Sequence, residues 1–165
     1  MTVYPLMSLA RVRQLREENA VMEYSASEKA LLAAREETLA RRKALEEHLL
    51  WREEEEDRRY REILDKELSR KEMDEFKAGV AALREKDAIL LEALEEARKA
   101  EEEAARHRDE AAETLKRRRK EMEKIDTHQE IWQTGEAIAA ERREDLEMEE
   151  FTGLKRPEMH EDSDD

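Results

Sequence analysis

Apolar residues recur at every seventh position through the second half of the chain. The row consists of Phe76, Leu83, Leu90, Ala97, Ala104, Ala111, Arg118, Ile125, Trp132, Ala139 and Leu146, so that ten of its eleven members are apolar. The positions three residues earlier in each heptad are apolar in only five of eleven cases, and the first row is therefore expected to provide most of the packing. An uninterrupted seven-residue repeat predicts a long helix that supercoils left-handedly with a partner helix.

Two local signals divide the chain into two helices. Pro5 suits the first turn of a helix, because its missing N–H has no partner there. Ser69 and Glu72 have the S-x-x-E spacing of a capping box, which marks the start of a second helix. We therefore expect a lead-in over residues 1–4, helix 1 over residues 5–67, helix 2 over residues 68–151 and an acidic disordered tail over residues 152–165.

The two helices are expected to pair with each other, because a hairpin turn near residue 68 brings matching residues together. In this register the numbers of facing residues add up to about 136. The register places Tyr60 opposite Phe76 and sets Leu32 and Leu39 opposite the alanines of helix 2. Large residues that face small ones allow two helices to pack closely. The predicted fold class is all-α, an antiparallel two-helix coiled-coil hairpin with a longer C-terminal helix.

The middle of helix 1 has the least regular pattern in the chain. The hairpin register puts Leu49 and Glu53 on the seam between the helices and sends Trp51 to the opposite side. Alternatively, helix 1 shifts its register over residues 42–56 and buries Trp51. An exposed tryptophan is typical of binding hot spots. Leu50 and Trp51 are therefore a candidate partner-binding patch on the shaft of the hairpin.

The end of helix 2 extends beyond the residues that helix 1 can cover. This overhang, residues 133–151, still carries the apolar residues Ile138, Leu146 and Phe151. An unpaired amphipathic helix end is typical of a surface that binds another protein. Fraying and dimerisation are the alternative interpretations of this segment.

The composition argues against an enzyme. The 165 residues include 32 Lys and Arg against 46 Asp and Glu, which gives a formal charge of −14. Three glycines and seven aromatic residues are too few to build the turns and the thick core that enclose a pocket. The absence of cysteine excludes disulfides and thiolate metal sites. No apolar run approaches the roughly 18 residues that cross a bilayer.

No catalytic residue, cofactor site or metal site is expected from the remaining polar residues. We interpret the four histidines, at positions 48, 107, 128 and 160, as surface residues. His107 and His128 lie three heptads apart, about 31 Å along a helix, which is too far for one metal ion. The basic run over residues 116–120 is interpreted as a solvated helix face, since a net charge of −14 opposes nucleic-acid binding.

Several short motifs occur in a recognisable order along the chain. A Tyr-Pro-Leu motif covers residues 4–6, and a basic run covers residues 116–120. His128 then precedes Trp132 by four residues, and an acidic helical C-terminus follows. In this order the motifs resemble the FliJ/YscO family, the central-stalk proteins of flagellar and virulence-type III secretion systems. The YscO branch is the more similar one.

The resemblance implies a monomeric bacterial cytoplasmic stalk, peripheral to the inner-membrane secretion apparatus and similar to the coiled coil of the rotary ATPase gamma subunit. It implies contact with the hexameric secretion ATPase through Tyr4, Pro5, Leu6, Trp132, Ile138, Leu146 and Phe151. The shaft, with Leu50 and Trp51, would face the export-gate membrane protein, and secretion chaperones would be further partners. The alternative function is a parallel dimeric coiled coil that acts as a spacer or tether unrelated to secretion.

Overall fold

The computed structural model describes residues 2–154, which form two helices. Helix α1 spans Met7–Ile63 and helix α2 spans Arg70–Gly153. The predicted all-α hairpin is confirmed, because the two helices pack against each other in antiparallel order. Helix α1 begins two residues after Pro5 and ends four residues before the expected boundary at residue 67. Of the expected disordered tail, residues 155–165 lie outside the described residues.

The entry into α1 is a tight turn over the Tyr-Pro-Leu motif. The Tyr4 carbonyl accepts a hydrogen bond from the Met7 amide at 3.2 Å. The Leu6 carbonyl then accepts from the Ala10 amide at 2.9 Å, which is the first regular helical bond. Pro5 lies within this turn, where its fixed φ directs the chain into the helix and its missing N–H leaves no donor unsatisfied.

Helix α2 begins with the capping box that the sequence predicts. The Ser69 amide donates to Glu72 Oε2 at 2.7 Å, and the Glu72 amide donates to Ser69 Oγ at 3.2 Å. These hydrogen bonds lower the pKa of the Glu72 carboxyl, so it stays charged where the positive end of the helix dipole favours a carboxylate. The turn that precedes α2 is thereby fixed at its C-terminal side.

The described chain divides into two compact units, and the larger one covers Glu18–Lys116. Within it the predicted register is present. The rings of Tyr60 and Phe76 meet edge to face with centroids 5.1 Å apart. The Thr38 hydroxyl donates to the Ala97 carbonyl at 3.3 Å. Both pairs have residue numbers that add up to 135 or 136, as the hairpin register requires.

The second unit consists of residues 2–17 and 117–154 of the described chain. The same register holds inside this unit. The rings of Tyr4 and Trp132 lie 5.4 Å apart, and Arg119 Nε lies 3.9 Å from Glu17 Oε1. Ile125 is almost completely buried in its core. The N-terminal residues therefore pack antiparallel to α2 within this unit.

The face that α1 turns toward α2 differs from the predicted one. Leu31 and Thr38 are buried, whereas Leu32 and Leu39 are 59% and 61% exposed. The expected packing of these two leucines against the alanines of α2 is therefore wrong. The physical reason lies farther along the helix: the heptad row of Leu32 and Leu39 continues into two glutamates, at positions 46 and 53, which would be costly to bury.

The row that is turned inward can bury its charges. It consists of Leu31, Thr38, Leu45, Arg52 and Arg59, each of which is buried or half-buried. Its two arginines have long apolar stems and ion-pair partners, whereas the row of glutamates would have neither. Small residues on both helices also let the backbones approach closely, as the contact between Thr38 and Ala97 shows.

The predicted seam of α2 is present, but its companion row is buried as well. Val80, Leu94 and Leu115 of the companion row are each less than a tenth exposed. The expectation that one row provides most of the packing is therefore wrong. The charged companion residue Asp87 fits the seam because Arg52 of α1 pairs with it at 2.7 Å. Polar complementarity thus replaces apolar packing at this layer.

Candidate functional site

The N-terminal lead-in is fastened to α2 by an aromatic clasp. Tyr4 is only 4% exposed, and its hydroxyl shares a hydrogen bond of 2.8 Å with His128 Nδ1. Its ring also packs against Trp132. One turn farther along α2, the Thr2 hydroxyl donates to Glu136 Oε2 at 2.5 Å. The clasp positions the first residues of the chain directly beside the C-terminal part of α2.

Apolar residues around the clasp remain accessible. Pro5 and Leu6 are exposed, and so are Ile131 and Ile138 on α2. The structure therefore brings the predicted residues Tyr4, Pro5, Leu6 and Trp132 together in one unit, with Tyr4 and Trp132 as the inner members. Sequence reasoning missed Ile131, although its spacing of seven residues from Ile138 places both on one face.

The last turns of α2 are a solvated helix end within the described chain. Every residue from 141 to 154 is exposed, including the predicted contact residues Leu146 and Phe151. Six carboxylates and two arginines lie in the same stretch, so the apolar side chains are set in an acidic surface. This combination of exposed apolar residues and negative charge is typical of a helix that binds a groove with a basic rim.

The shaft patch predicted at Leu50 and Trp51 has an exposed and a buried side. Leu50 is largely exposed, while Trp51 is 48% exposed and packs one side of its ring on His48, with centroids 5.6 Å apart. His48 occupies the seam, whereas Leu49 and Glu53 are exposed, so the placement of these two residues on the seam is wrong. Trp51 lies at the flank of the seam, neither fully outside nor buried.

A polar layer crosses the seam beneath Trp51. His48 is 8% exposed, so its interpretation as a surface residue is wrong. Its Nε2 lies 3.0 Å from Asp87 Oδ1 and 3.3 Å from the Leu83 carbonyl. Because both neighbours are acceptors, Nε2 carries a proton in this geometry. Arg52 Nε approaches the other oxygen of Asp87 at 2.7 Å.

The polar layer continues toward the turn of the hairpin through Glu56. This buried carboxylate accepts hydrogen bonds from Arg84 at 3.1 Å and from Arg52 at 3.0 Å, and these bonds lower its pKa. Glu55 accepts from Arg58 and Arg59, which lowers its pKa to about 2. Both carboxylates are therefore ionised at neutral pH. Charged hydrogen bonds across the seam favour one register of the two helices over others.

The polar layer could have been inferred from the sequence. Asp87 is a charged residue in the companion row of α2, and the hairpin register places it close to position 49. A carboxylate that is largely buried needs a donor, and His48 and Arg52 are the residues within one turn that can supply one. The hairpin register therefore contains the information that His48 or Arg52 faces Asp87, but the prediction that Leu49 faces the seam is incompatible with it.

The described residues carry no arrangement that points to metal chemistry or to membrane insertion. Among residues 2–154, the His, Asp and Glu side chains form no group of three or more that could hold a metal ion. Within the same range, neither helix contains a stretch that is both apolar and long enough to cross a bilayer.

Comparisons with known proteins relate nearly all of the described chain to one family. The sequence profile of a family described as type III secretion protein YscO matches residues 6–154. No curated protein is similar enough in sequence to count as a relative. Among solved structures, the crystal structure of type III secretion protein YscO from Vibrio parahaemolyticus is similar, with a TM-score of 0.82 at 22% identity, over 88% of this chain and 92% of that chain.

A second solved structure has the same fold. A protein from Chlamydia trachomatis that is described as a YscO homolog is similar with a TM-score of 0.74 and 22% identity. The similarity covers 93% of this chain and 94% of that chain. At this level of identity the two solved structures support the hairpin fold alone. The relationship of the chain to the family rests on the match to the sequence profile.

Proposed function

Because the chain belongs to the YscO family of type III secretion proteins, we propose that it is a non-enzymatic stalk that links the hexameric secretion ATPase to the export gate and supports protein export. The observation that carries the proposal is the aromatic clasp. By holding Tyr4 against His128 and Trp132, the clasp sets exposed residues of the N-terminal lead-in beside the C-terminal part of α2. Residues from the two ends of the chain can then bind one partner together.

The proposed ATPase-binding surface has inner and outer members. Tyr4 and Trp132 are buried or half-buried and act as positioning residues. The outer members Pro5, Leu6, Ile138, Leu146 and Phe151 are exposed and make the contact. The acidic stretch around the last two would steer this end toward a basic surface and raise the rate of association.

A hairpin of two different helices suits the regulation of a ring of similar subunits. It presents unlike surfaces around its circumference, so it contacts only some of six similar subunits at a time. A contact that differs between the nucleotide states of a subunit shifts the equilibrium between those states. In this mechanism the asymmetry of the stalk biases the ATP cycle, and no pocket or cofactor is needed.

The proposed gate-binding surface is the shaft patch of Leu50 and Trp51. The contact with His48 restricts the Trp51 ring, so little conformational entropy is lost when a partner binds its exposed side. A half-exposed, preorganised tryptophan is typical of a binding hot spot. We place the protein in the bacterial cytoplasm at the inner-membrane apparatus, as a monomer, with secretion chaperones as further partners.

The test of the ATPase contact is the rate of ATP hydrolysis by the cognate hexamer at increasing concentrations of the full chain. We expect the wild type to change the rate, and the double substitution Leu146→Ala with Phe151→Ala to raise the half-maximal concentration roughly tenfold, as loss of hot-spot residues does. The matched control, Leu64→Ala with Ile89→Ala, removes two exposed residues from the other unit and should behave as the wild type. An unchanged rate with wild-type protein would contradict the ATPase contact.

The gate contact is tested separately. We expect Leu50→Ala with Trp51→Ala to weaken binding to the cytoplasmic part of the export gate and to leave the effect on ATP hydrolysis unchanged.

The alternative function, a parallel dimeric spacer unrelated to secretion, does not agree with the family membership or with the structure, in which α1 of the same chain covers the seam of α2.

A further inference from the structure

We propose that the larger unit binds an acidic amphipathic helix of another protein in the groove along one flank of its two helices, where Leu32, Leu39, Arg35, Arg42 and Arg98 are displayed. This groove lies on the side of α1 that sequence reasoning assigned to the core. It is separate from the aromatic clasp, from the end of α2 and from the patch of Leu50 and Trp51.

The shape of the groove results from unequal side chains on its two walls. A cavity of about 320 Å³ is lined by Leu31, Thr38 and Ala105 together with arginines and glutamates. A second cavity of about 350 Å³ adjoins it and shares Leu31 and Arg35. Ala105 of α2 lines the first cavity and the exposed Leu32 of α1 lines the second, while Leu39 lies exposed on α1 beside them. The two cavities follow the helices as one elongated depression.

The apolar wall has the spacing of a helix-binding surface. Leu32 and Leu39 are two helical turns apart, about 10.5 Å along the axis. They are more than half exposed, so each offers apolar area that a partner can cover. A third helix that runs along a coiled coil meets residues at this heptad interval with its own heptad positions. An extended peptide, with side chains on alternate sides, would match the interval less well.

The charges of the groove favour an acidic partner. Arg42 and Arg98 line it, and within residues 2–154 neither guanidinium forms an ion pair with a carboxylate. The third arginine, Arg35, has only a long contact of 3.8 Å with Glu101. Glu102 is the other carboxylate of the same cavity, so three guanidinium groups outnumber two carboxylates there. In a chain of net charge −14 this is a locally basic flank that would select carboxylates.

The probe for the test is a fluorescently labelled synthetic helical peptide with leucines at heptad spacing and glutamates beside them. Its binding to the full chain is measured by fluorescence anisotropy. We expect saturable binding below about 1 mM, at least tenfold weaker binding when lysines replace the glutamates, and weakening as the salt concentration rises. No binding by the acidic peptide, or equal binding by the lysine version, would overturn the proposal.

Variants of the groove residues locate the site. Arg42→Glu with Leu39→Ser should weaken binding at least tenfold, and Ala105→Leu should do so by filling the floor. The matched control, Lys86→Glu with Ile89→Ser, makes the same two changes on the other flank of α2 and should bind as the wild type. Binding that survives both groove variants would overturn the proposal.

The same samples distinguish a partner protein from a second copy of this chain. Sedimentation equilibrium should show that the groove variants and the wild type have the same mass at all concentrations. A concentration-dependent dimer that Arg42→Glu with Leu39→Ser abolishes would assign the groove to self-association, and the proposal would be wrong.

Discussion

Substitution of Asp87 by alanine tests whether the polar layer holds the two helices in register. The change removes the carboxylate whose Oδ1 lies 3.0 Å from His48 Nε2 and whose Oδ2 lies 2.7 Å from Arg52 Nε. Both donors lie on α1, so the change breaks contacts between the helices and leaves contacts within α1 intact. Arg52 keeps Glu56 as a partner, and His48 Nε2 keeps the Leu83 carbonyl.

The size of the effect follows from these remaining partners. A hydrogen bond to a charged group contributes about 1.5–3 kcal/mol, and a buried donor that loses all its partners costs more. The remaining bond of Arg52 to Glu56 is made by Nη1, so Arg52 Nε loses the oxygen that lies 2.7 Å from it. Because His48 Nε2 keeps its acceptor and Asp87 is about a quarter exposed, we expect a loss of about 2–3 kcal/mol in the free energy of unfolding. In a protein of this size, that corresponds to a decrease in Tm of roughly 4–12 °C.

The assay is urea unfolding monitored by circular dichroism, with Asp109→Ala as the matched control. Asp109 lies on the same helix, its side chain is 69% exposed, and it pairs with the adjacent Arg108 at 2.8 Å. Both substitutions gain the same helix propensity and remove the same charge, so these contributions cancel in the comparison. Asp109→Ala should change the free energy of unfolding by about 0.5 kcal/mol or less. Equal effects of the two substitutions would refute the role assigned to the polar layer.

Three further predictions concern the cap of α2, the buried face of α1 and the charged carboxylate of Glu55. Ser69→Ala should lower the free energy of unfolding by about 1 kcal/mol through loss of the capping box, whereas Ser25→Ala, at an exposed mid-helix position, should not lower it in the same urea titration. Leu31→Ala removes a buried leucine and should lower the free energy of unfolding by about 2–5 kcal/mol, whereas Leu32→Ala, at an exposed position, should lower it by less than about 1 kcal/mol. If thermal melts showed the larger loss for Leu32→Ala, the observed buried face of α1 would be contradicted. The pKa of Glu55 is lowered to about 2 in the folded chain, against about 4.3 in the unfolded chain. The ionised carboxylate therefore stabilises the fold fully above about pH 4.3, and this contribution should be lost as the pH falls toward 2. Glu55→Gln should flatten that part of the pH profile in unfolding experiments, and an unaltered profile would argue against the ion pairs at this carboxylate.

The sequence determines the fold far better than it determines which face of α1 is buried. The heptad of α2 and the capping box at Ser69 have period and spacing that few other structures share, and the structure confirms both. Helix α1 offers two competing rows, one led by Leu31 and one by Leu32, and hydrophobicity alone favours the wrong one. The choice depends on whether the charged residues two and three heptads farther on can find partners across the seam, which is a property of both helices together.

The candidate binding surfaces also differ in how far the pattern of a single helix predicts them. Exposure at Leu146 and Phe151 could be anticipated, because α1 has no residues left to cover that part of α2. The position of Trp51 could be anticipated only from both helices together, since its half-buried state depends on His48 entering the seam beside it. That placement results from the partner Asp87 on the other helix, and a pattern that is read along one helix at a time does not contain it.

The pairing of α1 with α2 inside each unit limits how such a protein can change in length during evolution. Deleting one residue inside either helix would rotate everything beyond it by about 100° about the helix axis, which would carry the glutamates at positions 46 and 53 toward the seam or pull Val80 and Leu94 out of it. Insertions in the short link between Ile63 and Arg70 leave both rows in phase and should be tolerated. Homologues of different lengths should therefore differ by whole heptads gained or lost on both helices together.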